Sequence, residues 1–381
     1  MRQGQKQTIS ILKRTLDPTR ETFWFHAASL GEFEQGRPLI EKIKQQSPDI
    51  QIVLTFFSPS GYEIRKEYKG ADVVCYLPFD TKKKASEFIQ TTNPSKVIFI
   101  KYEFWANYLT ILHQRAIPTF LISAIFRPEQ LFFKKYGFFY HRLLTFFDHI
   151  FVQDQDSAKL LSTHHISHVS VAGDTRFDRV VAIASEAKQL PVIEKFAQNH
   201  PVYIMGSSWP ADEALMIPYF NTHFSFRLII APHVTSESHI SAICNALKRP
   251  YLRLSEATTQ NVMNVECLVV DSIGLLASIY RYGTAAYIGG GFGVGIHNVL
   301  EAAVYGMPVI FGPNYQKFRE ATDLIRVGGG FSIHSQEALY DILNDWEIEN
   351  QKIKRAGDAA ARYVREQQGA TEKILQYIVD K

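Results

Sequence analysis

The feature that most constrains this fold is the regular alternation of short apolar runs with helix-like segments along the chain. Apolar runs at Thr22–His26, Ile50–Thr55, Val73–Leu77, Val97–Ile100, Pro118–Ser123, His149–Gln153 and His168–Ala172 are separated by amphipathic or small-residue stretches. Parallel strands need crossovers long enough to hold a helix, so this alternation predicts a mostly parallel sheet wrapped by helices. The pattern loosens from Val180 to Gln189, the expected linker, and restarts at Val202–Met205. It continues through Arg227–Ala231, Cys267–Val270, Ala285–Ile288 and Val309–Phe311. The expectation is α/β, with two doubly wound, Rossmann-like domains facing across a cleft: residues 1–178 and 190–355, followed by a helical segment 356–381 able to pack back on the first domain. A chain of 381 residues suits two cores better than one. From Glu347 onward it reads as helical and charged, with interruptions at Gly357 and Gly369.

Open α/β sheets bind ligands at the carboxyl ends of their strands, which directs attention to the loops there. One is IGGGFGVGIHNVLEAAVYGMPVIFGP, Ile288–Pro313. A strand breaks into Gly289, Gly290, Gly291, Gly293 and Gly295, and a helix is predicted from Val299, with Asn298 as its cap and Glu301 in its first turn. A helix start reached through glycines exposes backbone N–H groups, so the expected ligand is anionic, a phosphate above all. The glycines miss the G-x-G-x-x-G spacing in every register, which disfavours a dinucleotide. Glu301 either reaches a ribose or only complements the helix dipole.

Glu32 follows the first strand through Ala27, Ala28, Ser29, Leu30 and Gly31. It is either a general base or an ordinary first-turn Glu with Ser29 as cap; the helix dipole is expected to lower its pKa. Ser207 and Ser208 either hold a phosphate or cap the next helix, and His233 is either a donor to ligand or an exposed turn residue. The segment FRPEQLFFKKYGFFYHRLLTFF, Phe126–Phe147, places Arg127, Lys134, Lys135 and Arg142 among aromatics, in the manner of a membrane-surface segment. The competing assignment, a core helix, suits Tyr140–Phe147 better than Leu131–Phe139.

Several classes lack their signatures. There is no H-E-x-x-H, paired C-x-x-C, G-x-S-x-G or P-loop, which leaves a metal-free transfer. Cys75, Cys244 and Cys267 read as buried thiols of a reducing compartment. A net charge of +3 gives no indication of nucleic acid. No run approaches the ~18 apolar residues of a membrane span, and the basic opening MRQGQKQ is not a signal peptide.

From Thr22 to Gly369 the chain resembles the 3-deoxy-D-manno-octulosonic acid (Kdo) transferases, which have the two-domain GT-B architecture. The resemblance is carried by HAASLGE (His26–Glu32), TFFSPSGY (Thr55–Tyr62), LPFD (Leu77–Asp80), KYEFW (Lys101–Trp105), GDTRFDRV (Gly173–Val180), Gly206-Ser207 and GGGFGVGIHNVLEAA (Gly289–Ala303). It implies transfer of Kdo from CMP-Kdo to a lipid A precursor, with inversion and without a metal or other cofactor, by a peripheral protein on the cytoplasmic side of the bacterial inner membrane. By the same resemblance Glu32 is the general base. Ser207, His233, Gly289, Gly290, Gly291, Asn298 and Glu301 serve the nucleotide, while Ser29, Gly31, Ser58, Arg127, Lys134 and Lys135 face acceptor or membrane. Two departures stand out. The chain reads Pro232-His233-Val234 where many members read PRH, and the membrane-anchoring segment of many members is absent before Thr22. Two rival expectations are a GT-B enzyme using a UDP-sugar, such as a lipid disaccharide synthase or an epimerase, and a non-catalytic nucleotide-binding scaffold.

Overall fold

A computed structural model describes residues 2–380, with side chains for residues 4–379. The chain divides into two compact units, Met1–Arg179 with Gln367–Lys381, and Val180–Glu366. In the first, β1 (Thr22–Ala27), β2 (Gln51–Phe56), β3 (Val73–Tyr76), β4 (Lys96–Ile100), β5 (Thr119–Ala124), β6 (His149–Val152) and β7 (Val169–Val171) form one parallel sheet in the order β3-β2-β1-β4-β5-β6-β7. In the second, β8 (Val202–Ser208), β9 (Arg227–Pro232), β10 (Tyr251–Arg253), β11 (Cys267–Val269), β12 (Ala285–Ile288), β13 (Val309–Phe311) and β14 (Gly330–Ser332) form another, in the order β10-β11-β9-β8-β12-β13-β14. β10 and β14 escaped the sequence pattern because three-residue edge strands carry too few apolar positions to show a period.

Every residue of β1, β2 and β5 is buried, as expected for strands covered on both faces. The chain order reverses at the β1/β4 pair in the first sheet and at β8/β12 in the second. Such switch points open a crevice above the strand ends because the flanking connections run to opposite faces.

Ahead of β1, the unanticipated helix Arg2–Thr15 is tied to β3 and its end: Gln5 Nε2 donates to the Leu77 carbonyl at 2.8 Å and Thr8 Oγ1 to that of Tyr76 at 2.7 Å. The stretch expected to loosen begins inside the helix Thr175–Ser185, in which Phe177 and Val180 are buried one turn apart, and the units divide within that helix. Gly357 does not interrupt the helix Asn350–Glu366, contrary to expectation. A Cβ there would lie 2.1 Å from the Gly306 carbonyl oxygen, so this glycine serves close packing rather than a break. Gly369, at φ +98°, does break the helix. Its N–H and that of Thr371 donate to Asp178 at 2.6 and 2.7 Å, which starts the helix Ala370–Asp380, whose Ile374, Leu375 and Ile378 are buried in the first unit. The tail thus divides, the part through Glu366 packing in the second unit and the remainder in the first. No helix of the described residues is long and apolar enough to cross a membrane.

Candidate active site

In the first unit, Glu32 stands one turn into the helix Leu30–Gln46, at the carboxyl end of β1 beside the switch point. Its Oε2 accepts from the backbone N–H of Ala28 at 2.7 Å and of Ser29 at 3.1 Å. These bonds fold the carboxylate back over the helix start, and Ser29 takes part through its backbone. Ser58 joins the same turn by donating its N–H to the Ala28 carbonyl at 2.7 Å, while its Oγ accepts from Ser60 at 3.2 Å and caps the helix Pro59–Arg65.

The expected lowering of the Glu32 pKa is overturned. Burial, followed by the nearby Glu103 carboxylate, holds it above the ordinary glutamate value; the two backbone donors and His26 pull it down without prevailing. A carboxylate of raised proton affinity is the stronger base once ionised.

Glu103, in the loop after β4, is not marked as a site residue by any local pattern, although the KYEFW motif contains it. Its Oε2 accepts from His26 Nε2 at 2.9 Å and from Trp105 Nε1 at 2.6 Å. An ionised carboxylate only accepts, so His26 carries its proton on Nε2. The other ring nitrogen, Nδ1, lies 2.8 Å from Thr55 Oγ1. His26 is fully buried, so this chain of bonds is sealed beneath the base. Lys101, directly after β4, holds φ +70°, a left-handed backbone uncommon outside glycine and concentrated at functional sites. The LPFD motif acts at one remove: Asp80 accepts from Asn107 and Tyr108 N–H at 3.1 and 3.3 Å, capping the helix Ala106–Gln114 that follows Trp105.

Gly31 is not demanded by packing, since a Cβ would meet nothing within 4 Å. We expect Gly31→Ala to leave stability unchanged or raise it by about 0.5–1 kcal/mol, as alanine does in helices, while crowding the space beside Glu32. Thermal melting together with a transfer assay checks this: a raised KM for acceptor at unchanged stability supports an acceptor-facing Gly31, and unchanged kinetics removes it from the site.

In the second unit, the glycine loop after β12 meets the loop after β8 at that sheet's switch point. Asp212, 1% exposed, joins them: it accepts from Trp209 N–H at 2.9 Å, Gly290 N–H at 3.0 Å and Tyr287 Oη at 2.9 Å. Gly289 and Gly291 are required by close approach, because a Cβ would lie 2.2 Å from the Ser207 carbonyl oxygen and 2.6 Å from Gly312 backbone, respectively. Gly290 holds φ +93°. Ser207 sits at φ +52° where the β8–β9 register shifts. Ser208 takes neither expected role: it is buried and donates to Glu213 at 2.8 Å.

The helix after the glycine loop is only Leu300–Ala303, too short to carry the dipole argument of the sequence. Its N-cap position is Val299 and not Asn298 as expected; Asn298, one residue earlier, accepts from Leu300 N–H at 3.1 Å and donates to Glu301 at 3.1 Å, so these two side chains form one polar unit.

A cavity of about 430 Å³ is lined by Trp209, Asp212, His233, Gly290, Phe292 and His297, among others. His233 stacks on Trp209, with ring centroids 4.7 Å apart, and on His297, 4.5 Å apart. The sequence does not mark Trp209 and His297 as site residues, because their partners are distant along the chain and no local pattern reports a stack.

The Phe126–Phe147 segment does not divide at the expected boundary. Phe126, Leu143, Leu144 and Phe147 are buried and Phe132 and Phe133 pack against the same core, whereas Leu131, Tyr136, Phe138, Phe139 and, against expectation, Tyr140 are exposed near Lys134 and Lys135 in the chain. Arg127 belongs nearer the base: burial raises the Tyr102 phenol, Arg127 opposes that rise, and Asp154 and Glu32 add to it, so their charges meet at one ring. The three cysteines are free and buried, and burial pushes the Cys75 thiol up to about 12, which disqualifies it as a nucleophile.

A family model described as 3-deoxy-D-manno-octulosonic-acid transferase (kdotransferase) matches residues 3–179. The similarity extends past that span: a 3-deoxy-D-manno-octulosonic acid transferase of Aquifex aeolicus is 24% identical over 90% of this chain and 90% of its own length. One from Haemophilus influenzae is 25% identical over 94% and 86%. Over most of its length the chain is similar to Kdo transferases. Kdo transferases are glycosyltransferases, and this is an enzyme of that class. Among solved structures, a UDP-GlcNAc 2-epimerase from Neisseria meningitidis aligns with a TM-score of 0.64 over 94% of this chain and 100% of the other, at 13% identity. MurG from Acinetobacter baumannii aligns at 0.60 over 95% and 100%, also at 13% identity. At that identity the likeness speaks for the fold alone, which is GT-B, with two Rossmann-like units.

Proposed function

We propose that this chain is a Kdo transferase that moves Kdo from CMP-Kdo to a lipid A precursor, with inversion and without a metal, at the cytoplasmic face of the inner membrane. The observation that carries the reading is Glu32. In a chain of this family, it is a part-buried carboxylate of raised proton affinity, held by two backbone N–H groups at a sheet's switch point. In this reading its free oxygen, Oε1, takes the proton from an acceptor hydroxyl as that oxygen bonds to the anomeric carbon and the bond to the phosphate of CMP breaks. One displacement at that carbon inverts it. Glu103 accepts from His26 and Trp105, and its carboxylate beside Glu32 strengthens the hold of Glu32 on the proton it takes.

The second unit supplies the nucleotide seat in this proposal. The phosphate lies on Gly289–Gly291 near Ser207, with His233 alongside, and the Asn298–Glu301 pair takes the ribose hydroxyls. Arg127 and the Ser29–Ser58 turn serve the acceptor. The exposed aromatics Tyr136, Phe138 and Phe139 enter the interface of a membrane whose anionic headgroups meet Lys134 and Lys135.

The testing experiment supplies CMP-Kdo and a lipid A precursor in anionic vesicles with EDTA present. Formation of a Kdo-bearing lipid with inverted anomeric configuration supports every part. No product with EDTA but product after added Mg²⁺ removes metal independence, and turnover of UDP-sugars alone replaces the donor. Phe138→Ser with Phe139→Ser is expected to weaken vesicle binding while turnover of a soluble, short-chain acceptor persists.

A further inference from the structure

The cavity of the second unit poses a charge problem. Of the residues lining it, the groups able to carry charge are Asp212, His233 and His297. Asp212 is an acceptor from three donors, so with neutral imidazoles the cavity is negative, and an anion entering it meets repulsion. Positive charge must come from a proton on one of the two histidines.

The geometry decides which one. Trp209 Nε1 donates to His297 Nε2 at 3.2 Å, and an indole N–H is a donor only. His297 therefore presents a lone pair on Nε2 and is neutral, with its proton on Nδ1. Burial first, and charge on His233 second, hold its proton affinity below the ordinary histidine value. His233 has no such commitment. Its ring lies face to face with the Trp209 indole at 25° and 4.7 Å, where a cation gains from the ring's negative face.

We propose that His233 is a proton-taking anion site: a phosphodiester seated on the glycine loop binds with uptake of one proton at His233, which then lies as a cation between the ligand and Trp209. This rests on the nucleotide reading of this unit and adds its linkage to pH. The other titratable groups on the surrounding elements have partners of their own. Glu213 on the helix Pro210–Phe220 bonds Ser208 and His239, Glu237 on the helix Glu237–Ala246 bonds Arg253 and Ser241, and Asp271 beyond β11 bonds Ser255. The incoming phosphate is then the partner that His233 gains. A group whose proton affinity rises on binding takes up a proton wherever the free form has lost it, so affinity falls as pH rises through that window.

The test is calorimetric titration of the full chain with the methyl ester of CMP, a phosphodiester whose single charge is constant across the neutral range. It is run at about pH 8, where a free imidazole is largely neutral, in two buffers of different ionisation enthalpy. The expected result is uptake of close to one proton per ester bound, with affinity falling up to tenfold per pH unit, and no uptake with cytidine. His233→Gln should bind the ester more weakly and without uptake, and His233→Arg tightly and without uptake. Equal heats in the two buffers for the unaltered protein overturn the proposal while leaving the nucleotide seat intact. Uptake that survives in His233→Gln overturns it by assigning the proton to another group. Failure of both ester and cytidine to bind at any pH overturns the nucleotide reading and this proposal with it.

Discussion

Glu32→Gln is expected to lower turnover by about 10²–10⁴-fold, the usual contribution of a positioned general base, while the protein folds and still gains thermal stability from CMP. The amide oxygen of Gln can accept from Ala28 and Ser29 as the carboxylate does, so the helix start is preserved. What is lost is the capacity to take a proton. Because the folded protein raises the Glu32 pKa, ionisation costs stability: the contribution is present below the unfolded value and lost as pH rises through the folded one. Gln never ionises, so the variant should melt at the same temperature or higher at neutral and alkaline pH. The acid limb of the rate profile should likewise lie above the ordinary glutamate value of about 4.3, since the base must be ionised to work. Unimpaired turnover in the variant, or an acid limb below that value, removes Glu32 from the chemistry.

The largest loss of stability is expected at Asp212. In Asp212→Ala the buried Tyr287 hydroxyl and Gly290 N–H lose their acceptor, and each unsatisfied buried donor costs about 1–3 kcal/mol. A combined cost of roughly 2–5 kcal/mol lowers the melting temperature of a unit this size by roughly 5–15 °C. The nucleotide response should vanish too, because the same carboxylate oxygen fixes Trp209 and Gly290, both of which line the cavity. Asp212→Asn keeps one acceptor oxygen and should fall between. Melting followed by tryptophan fluorescence, with and without CMP, checks both; an Ala variant that melts like the parent would show that the loops are held by other contacts.

The sequence marks a site residue by its type within a local pattern, and what it marks correctly depends on the range of the physics involved. Glu32 was legible because small residues after a buried strand place the next acid at a helix start. The direction of its pKa was not, because Glu103 comes from another strand end and burial comes from the whole unit. The glycine loop was legible by composition, but the helix expected from Val299 forms only one short turn, Leu300–Ala303, ahead of Gly306, against which Gly357 packs. Gly357 itself shows the limit from the other side: a glycine in a helical run looks like a break until the segment it packs against is known.

The sequence by itself determined the two doubly wound sheets, because strand and helix periodicity is a property of neighbouring residues and a parallel crossover leaves few topologies open. It also determined which loops reach the strand ends. Tertiary structure alone decided that Glu103, His26 and Trp105 form one hydrogen-bonded set near Glu32. It alone brought Trp209, His233 and His297 into one stack and divided the aromatic segment into buried and exposed residues. Proton affinity, stacking and burial depend on what is near in space, and that is fixed only when distant strands close on one another.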